Sequence, residues 1–234
     1  MRLDRWATMC DPQGVERMTK SKIDCLGYAG SSLTLWQRFW INTVVVFPMM
    51  ALYTLISRCG GSATELTMPH WVPFVPAFIL PYAVMLLATW LLPLVIRDAR
   101  LFRACILANL SAYLLVMPWW QLCPTMLTRP DMPSGFWQEI YRCLWAFDPP
   151  RNIMPCAHGV GPAVAAWFVG RDRPRWRWPL AFLLILSMPS IAFTWQHRPI
   201  DIFVGLLAAA AGIAGAEFLY RGRPQSSCLP SPPP

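Results

Sequence analysis

Apolar residues run along this chain in six long stretches that are separated by shorter polar segments. A membrane-spanning helix needs about 20 mainly apolar residues, and each stretch comes near that length. The second stretch is rich in proline, which a membrane helix tolerates when its neighbours satisfy the freed carbonyl groups. The pattern predicts an all-α fold, an integral membrane six-helix bundle, with spans at residues 39–57, 71–96, 104–120, 153–170, 178–195 and 199–220.

The polar segments divide the chain into three parts. Residues 1–34 are polar and mixed in charge, and they contain no apolar core followed by a small-residue cleavage site, so we expect no removable signal peptide. Residues 35–220 form the predicted membrane domain, and residues 221–234 form a proline-rich tail that we expect to be disordered. In the last span, small residues that include Gly205, Gly212 and Gly215 would let a neighbouring helix approach closely.

The composition excludes an ordinary soluble domain, because 56% of the residues are hydrophobic and 14% are charged. The net charge of +8 does not indicate a nucleic acid partner, since the basic residues lie between the apolar stretches and form no binding stripe. Most of them fall on the cytoplasmic side if both termini are cytoplasmic, which is the distribution that membrane topology favours. The predicted outer side then holds all three histidines, His70, His158 and His197.

Two of these histidines stand at the start of apolar stretches. His197 and Asp201 are four residues apart, about one helical turn, so the carboxylate can reach one ring nitrogen. Such a hydrogen bond fixes the tautomer and leaves the other nitrogen free to attack an electrophile. The spacing predicts a nucleophilic histidine, with a buried pair that stabilises a helix end as the structural alternative. For His158 the structural alternative is a histidine at the membrane interface, the position that we expect for His70.

The longest predicted outer loop, residues 121–152, contains an amphipathic segment at 136–147. Loops of this length are usually functional or disordered. The eight cysteines show neither a Cys-x-x-Cys pair nor a metal-ligand spacing with histidine, so we expect no metal and no cofactor. Cys123 and Cys143 could form a disulfide on an oxidising outer side, but we favour two free buried thiols.

Three spaced motifs follow one another in the second half of the chain. They are an Arg-Pro segment at 124–130, a segment at 148–158 that ends on His158, and Gln-His-x-x-x-Asp-x-x-x-Gly at 196–205. In this order they resemble the type-2 phosphatidic acid phosphatase superfamily, closest to the branch of inositol phosphorylceramide synthases and bacterial lipid phosphatases. The resemblance covers roughly residues 70–210, and it depends on the joint occurrence because each motif alone is weak.

The resemblance implies a role for each matching residue. His197 would be the nucleophile that takes the phosphoryl group, Asp201 would orient it, and His158 would protonate the departing alcohol. The first turn of the fourth helix would add backbone N–H groups beside the phosphate. The substrate-binding residues expected from the motifs are Arg129, Cys156, Arg151 and Asn152.

This sequence departs from the family pattern at three positions. The usual serine before the acid histidine is Cys156, a weaker hydrogen-bond donor. A lysine of many members is Leu122 here, and an arginine of the classical phosphatases is Ile191. The lipid-transferase branch tends to lack both basic residues, and Arg151 or Arg198 would supply the missing charge.

We therefore expect a membrane lipid phosphatase or phosphotransferase that acts on a phospholipid or isoprenoid phosphate through a phosphohistidine intermediate. Water as the acceptor gives hydrolysis, and an alcohol as the acceptor gives headgroup transfer. The alternative is a non-catalytic lipid-binding or lipid-moving membrane protein that retains the fold. We expect a multi-pass location in a bacterial inner membrane, with the site on the outer, periplasmic face.

Overall fold

The computed structural model describes residues 32–59 and 61–221, and these residues are mostly helical. The predicted N-terminal segment, apart from residues 32–34, and the predicted tail beyond residue 221 lie outside the described residues. The α-helices are α1 (Leu35–Cys59), α2 (Ile79–Leu91), α3 (Ala99–Leu122), α4 (Phe136–Phe147), α5 (Val160–Asp172), α6 (Arg177–Phe193) and α7 (Pro199–Arg221). Short 3-10 helices cover Pro76–Phe78, Pro93–Val95 and Pro174–Trp176, and two strands are β1 (Thr64–Leu66) and β2 (Thr125–Leu127).

Four of the described helices are long and apolar enough to cross a membrane: α1, α3, α7, and α6 together with the 3-10 turn before it. They correspond to the predicted spans 39–57, 104–120, 199–220 and 178–195. Large apolar side chains on their outer faces are exposed, as Phe47 is to 58%, Ile185 to 72% and Phe218 to 79%. A soluble domain rarely exposes so much contiguous apolar surface, and the bilayer is the environment that suits it.

The other two predicted spans are shorter in the structure than the sequence pattern suggests. Within 71–96 only α2 is α-helical, because Pro76 and Pro93 each begin a 3-10 helix and confine α2 to 13 residues between these turns. Within 153–170 the helix begins at Val160, because the preceding backbone makes its hydrogen bonds elsewhere. There the amide of Cys156 donates to the carbonyl of Asp201.

Helix α7 packs closely against α3, as its small residues predict. A Cβ at Gly212 would come within 2.4 Å of the Ala108 carbonyl oxygen of α3. A Cβ at Gly205 would meet the Cys156 carbonyl oxygen at 2.0 Å. Gly215 has no such neighbour within 4 Å. Close packing therefore requires glycine at positions 205 and 212 but not at 215. The contact at Gly205 fixes the chain just before α5 against α7.

At the end of the bundle where α3 begins, four charged residues bind backbone groups. We call Arg38, Asp98, Asp172 and Arg173 the helix-end network. Asp172 accepts hydrogen bonds from the amides of residues 97 and 98, each at 3.0 Å, and Asp98 caps α3 by accepting from the amide of Leu101. Arg38 donates to the carbonyl of Leu94 at 2.6 Å, and Arg173 to that of Val95 at 2.8 Å. These bonds join the ends of α1, α3 and α5 to the turn after α2.

At the opposite end, β1 and β2 form a two-stranded parallel sheet in which Thr64 pairs with Thr125. Within the described residues, this small sheet departs from the predicted all-α fold. The Arg-Pro motif at 124–130 includes β2, and Met126 also forms an antiparallel bridge with Arg151. The amphipathic segment predicted at 136–147 is confirmed as α4. Strand β2 also bonds to the loop that leads into α5, because the amide of Leu127 donates to the carbonyl of Pro150 and the amide of Asn152 donates to the carbonyl of Thr125.

Candidate active site

Two loops at this end of the bundle bring His158 and His197 into direct contact. His158 lies two residues before α5 and His197 two residues before α7. Nδ1 of His158 is 2.7 Å from Nε2 of His197, although the residues are 39 positions apart in sequence. We call these two histidines, with Asp148 and Cys156, the histidine site. The structure thus joins the two histidines that the motifs predict to act together.

The outer nitrogen of each imidazole also has a partner. Nδ1 of His197 is 2.5 Å from the carbonyl oxygen of Ile153. Since a carbonyl oxygen only accepts, this nitrogen carries the proton and Nε2 presents its lone pair to His158. His158 then donates from Nδ1, while its Nε2 lies 3.4 Å from a carboxylate oxygen of Asp148. The partners assign a doubly protonated His158 that faces the lone pair of His197.

The Asp148 carboxylate supports the charge on His158. Its other oxygen accepts a 2.6 Å hydrogen bond from the hydroxyl of Tyr53 on α1. Burial would raise the pKa of Asp148, but the hydrogen bond and charge of His158 and the Tyr53 hydroxyl lower it overall. Burial alone would lower the pKa of His158, but the interactions with Asp148 and Cys156 raise it to about 10. A proton donor with this pKa remains charged at neutral pH.

Cys156 is fully buried beside the two rings. Burial alone would raise the pKa of its thiol, but the two histidines lower it to about 6. Its sulfur and one nitrogen of each ring lie within 4.8 Å of one another, so these three side chains could hold a metal ion. The spacing of cysteines and histidines in the sequence did not predict this group. Chain spacing does not reveal the group, because His197 is joined to the Cys-x-His pair only by the fold.

The loop before α5 is held in place by several elements. The indole nitrogen of Trp120 on α3 donates to the carbonyl of Pro155 at 3.0 Å. The amide of Met154 donates to the hydroxyl of Thr125 on β2 at 3.1 Å. With the Cys156 amide bonded to Asp201 on α7, the loop is fixed by three elements. A loop held in this way keeps its side chains preorganised for chemistry.

Arg129 reaches the same region from the loop after β2. Its guanidinium donates to the backbone carbonyls of Asp148 and Trp145, and it lies 4.9 Å from the centre of the Trp145 ring. Burial lowers its pKa to about 10 against the opposing effect of Asp148, so it stays charged at neutral pH. The predicted phosphate-binding arginine is thus next to Asp148, where it contributes positive potential to the histidine site.

Two buried donors near the site have no hydrogen-bond partner among the described residues. One is the hydroxyl of Tyr82 on α2, whose ring centre lies 5.5 Å from that of His158. The other is the indole nitrogen of Trp145 on α4, beside Arg129. Buried polar groups are nearly always paired, so these two suit an anionic ligand. The sequence offers a signal for Tyr82, since a polar hydroxyl inside an apolar stretch often marks function, but none for Trp145.

Asp201 does not orient His197 as the spacing and the resemblance predict. Its carboxylate is fully buried and accepts from the backbone amide, Nε and Nη2 of Arg198, at 2.8 to 3.0 Å. The prediction is wrong because the chain turns between residues 197 and 199 and α7 begins only at Pro199, so a helical spacing does not apply. The Ile153 carbonyl takes the orienting role, and Arg198 is neutralised by Asp201.

The remaining predicted site residues lie in the surrounding loops. The side chain of Asn152 donates to the hydroxyl of Ser57 on α1 at 2.7 Å, and Arg151 donates to the carbonyl of Gly61 at 2.6 Å. These bonds support the loop and do not join the histidine pair. His70 is exposed. Cys123 and Cys143 are free thiols as predicted, but they are exposed and not buried.

The backbone on both sides of the histidine pair adopts an uncommon conformation. Asn152 has φ of 58° and Trp195 has φ of 54°. Asparagine tolerates this left-handed region, but for a large aromatic residue it is strained. Such strain persists where the surrounding structure over-determines it, which is common at functional sites.

A comparison with models of known protein families finds no match, and a search of curated proteins also finds none.

Proposed function

We propose that this chain is a multi-pass membrane enzyme that removes or transfers a phosphoryl group from a lipid through a phosphohistidine on His197. The observation that carries the proposal is the contact between the imidazoles of His158 and His197, with each outer nitrogen held by an acceptor. A nucleophile oriented by an acceptor and adjacent to a charged proton donor is the arrangement that nucleophilic catalysis requires.

In the first step, the Nε2 lone pair of His197 attacks phosphorus and the bond from phosphorus to the lipid oxygen breaks. His158 gives its Nδ1 proton to that oxygen, so the alcohol leaves neutral and the remaining imidazole is stabilised by Asp148. In the second step, water or an alcohol attacks phosphorus and the bond from phosphorus to Nε2 of His197 breaks, which releases phosphate or the new phosphate ester. His158 then takes the proton of the attacking oxygen, which restores the resting state.

The two rings must separate for the substrate to enter. An attacking nitrogen lies about 3–3.5 Å from phosphorus, and a proton donor lies about 2.6–3.2 Å from the leaving oxygen on the opposite side of phosphorus, so the two nitrogens would be roughly 7 Å apart. They are 2.7 Å apart in this structure. The ordered loops leave rotation of the imidazoles as the simplest way to open the pair. The phosphoryl oxygens would then accept from Arg129, Tyr82 and Trp145.

The surroundings of the site favour a lipid substrate. Cys156 is part of an apolar cluster formed with α2, α4 and α6, which includes Tyr82, Met85, Met188 and Ile191. Acyl or isoprenoid chains would pack against these side chains while the phosphate meets the histidines. We place both termini in the cytoplasm, α2 and α5 as the two shorter members of a six-helix bundle, and the site on the periplasmic face of a bacterial inner membrane.

The test is phosphate release by the purified protein in mild detergent, without added metal. Phosphatidate and an isoprenyl pyrophosphate serve as substrates, with His197→Ala as the inactive variant and the exposed His70→Ala as its matched control. We expect release by the wild type and His70→Ala and none by His197→Ala. Release that survives in His197→Ala would exclude the proposed nucleophile. Transfer is tested separately by adding an alcohol acceptor such as inositol.

A non-catalytic lipid-binding protein is the second candidate, and the buried Cys156 at the family's serine position is the observation that favours it. The variant Cys156→Ser separates the two functions. An enzyme would retain or gain phosphate release in this variant, whereas a binding protein would stay inactive in both forms and bind phosphatidate equally well.

A further inference from the structure

We propose that Cys156, His158 and His197 form a binding site for a thiophilic divalent cation such as Zn²⁺, and that bound Zn²⁺ stops phosphoryl transfer. The three ligand atoms lie within 4.8 Å of one another. Thiolate and imidazole are the ligands that Zn²⁺ prefers. Binding of Zn²⁺ is not part of the chemistry that the family motifs imply, because it needs the sulfur that Cys156 has in place of a serine oxygen.

The outer partners of the two imidazoles match those of metal-binding histidines. Such a histidine usually donates its second N–H to a carboxylate or a backbone carbonyl, which fixes the ring and the tautomer. His158 faces the Asp148 carboxylate at 3.4 Å, and His197 faces the Ile153 carbonyl at 2.5 Å. Both inner nitrogens therefore point to the same space, which the Cys156 sulfur also borders.

The geometry needs only a small adjustment to accept the ion. With Zn–N bonds of about 2.0–2.1 Å in a tetrahedral site, the two nitrogens would be roughly 3.3 Å apart. They are now 2.7 Å apart with one proton between them, so the ion would take the place of that proton after a slight separation of the rings. The cysteine is two residues from His158 on the same loop, and that loop is held by Trp120 and Asp201.

Bound Zn²⁺ would affect the proposed phosphoryl transfer, and this inhibitory part of the inference rests on the proposed function. The ion would bind the Nε2 lone pair that His197 uses for attack and the Nδ1 position from which His158 gives its proton. A zinc-bound site could then neither form the phosphohistidine nor protonate the leaving alcohol. Zn²⁺ would be an inhibitor that competes with the lipid phosphate.

The binding test titrates Zn²⁺ alone into the purified protein in detergent, in competition with a chromophoric chelator. We expect the wild type to bind one Zn²⁺ ion per chain tightly. The variant Asp148→Asn should bind about 10–100-fold more weakly because it loses the outer partner of His158, and Cys156→Ser should lose more than that. The matched control is Cys105→Ser, which removes another buried cysteine, on α3, and should leave the affinity unchanged.

Two measurements guard against a folding defect in Cys156→Ser. The thermal unfolding midpoint is compared with that of the wild type, and Co²⁺ replaces Zn²⁺ as a spectroscopic probe. A sulfur-to-cobalt charge-transfer band in the wild type and Cys105→Ser, but not in Cys156→Ser, supports the proposed ligand. Absence of a tight equivalent in the wild type, or equal affinity in Cys156→Ser, overturns the site.

The activity test is read separately from binding. Zn²⁺ should lower phosphate release by the wild type over the concentration range in which it binds, and a chelator should restore the rate. Unchanged release by the zinc-bound protein would overturn the inhibitory part. If no preparation releases phosphate, the proposed function fails, and the binding result alone decides whether the metal site is real.

Discussion

The helix-end network and the histidine site occupy opposite ends of the same helices and use their charges differently. In the helix-end network, Asp172 and Asp98 accept from backbone amides, and Arg38 and Arg173 donate to backbone carbonyls. In the histidine site, the ionisable side chains face one another. Charges of the first kind satisfy the chain ends, which is a structural task.

The difference shows why charge alone does not identify a site in a membrane protein. The carboxylates of the helix-end network accept from backbone amides, and Asp172 also lies 3.5 Å from Arg173. In the histidine site, His158 and Asp148 shift the pKa of each other, and so do His158 and Cys156. Mutual shifts of this kind are typical of functional sites. The comparison predicts that mutations at the first end change stability and that mutations at the second change the rate.

The largest effect is expected for His197→Ala. Removing the nucleophile should lower phosphate release by at least about 10⁴-fold, because the covalent path is lost. The thermal unfolding midpoint should stay close to that of the wild type. A rate loss matched by a large fall in the midpoint would instead place His197 among structural residues.

The second largest effect is expected for Asp148→Asn. We expect a rate lower by about 10²–10³-fold, within the range of general acid catalysis. The raised pKa of His158 sets the direction in which the rate and the stability change with pH. With its pKa raised to about 10, His158 stays protonated, and so able to act as the acid, until the pH approaches 10. The pair of His158 and Asp148 therefore contributes its full stability below about pH 6.5, and this stability is lost as the pH rises through about 10.

Without the Asp148 carboxylate, the pKa of His158 should fall, so the alkaline limb of the kcat profile should move to lower pH. The matched control is Glu139→Gln, which removes a carboxylate from the exposed surface pair with Arg142. An alkaline limb at the same pH in wild type and Asp148→Asn would contradict the assigned proton donor.

A smaller effect is expected for the pair of Asp201 and Arg198. The structure joins them in one ion pair, so Asp201→Asn and Arg198→Ala should lower the rate by a similar factor of about ten, and the double variant should be little worse than either single one. If Asp201 acted on His197 directly, Asp201→Asn would be far worse than Arg198→Ala. Steady-state rates of the three variants decide between these accounts.

In the helix-end network, Asp172→Ala should lower the free energy of unfolding by about 1–3 kcal/mol, because two backbone amides lose their acceptor. Phosphate release per folded molecule should not change. The exposed Asp131→Ala is the matched control and should leave both quantities unaltered. A rate loss in Asp172→Ala beyond the folded fraction would show that the two ends are coupled.

The smallest effect is expected at the bond between Asn152 and Ser57. Ser57→Ala should cost about 1 kcal/mol of stability because the buried amide loses its partner, and the rate should be nearly unchanged. Thr54→Ala on the same helix is the control, since its hydroxyl bonds only within α1. A rate loss of 10-fold or more in Ser57→Ala would assign Asn152 a direct part in the site.

The long apolar helices, α4 and the choice of His158 and His197 as candidate site residues were open to prediction from the sequence, because each depends on a local pattern. The acceptor that orients His197 could not be predicted, since the Ile153 carbonyl belongs to the backbone and no side chain marks it in the sequence. The helical spacing to Asp201 misled, because the helix begins after His197. Asp148 and His158 are ten residues apart in a loop, where no periodicity predicts contact.

The central claim is most directly tested by trapping the intermediate. The wild type is mixed with phosphatidate labelled with ³²P in its phosphate, quenched within the first turnover under alkaline conditions, and digested for peptide mapping. We predict label on the peptide that contains His197, and none in His197→Ala. Turnover of phosphatidate with label on Cys156, or with no labelled protein at any time, would contradict a phosphohistidine mechanism.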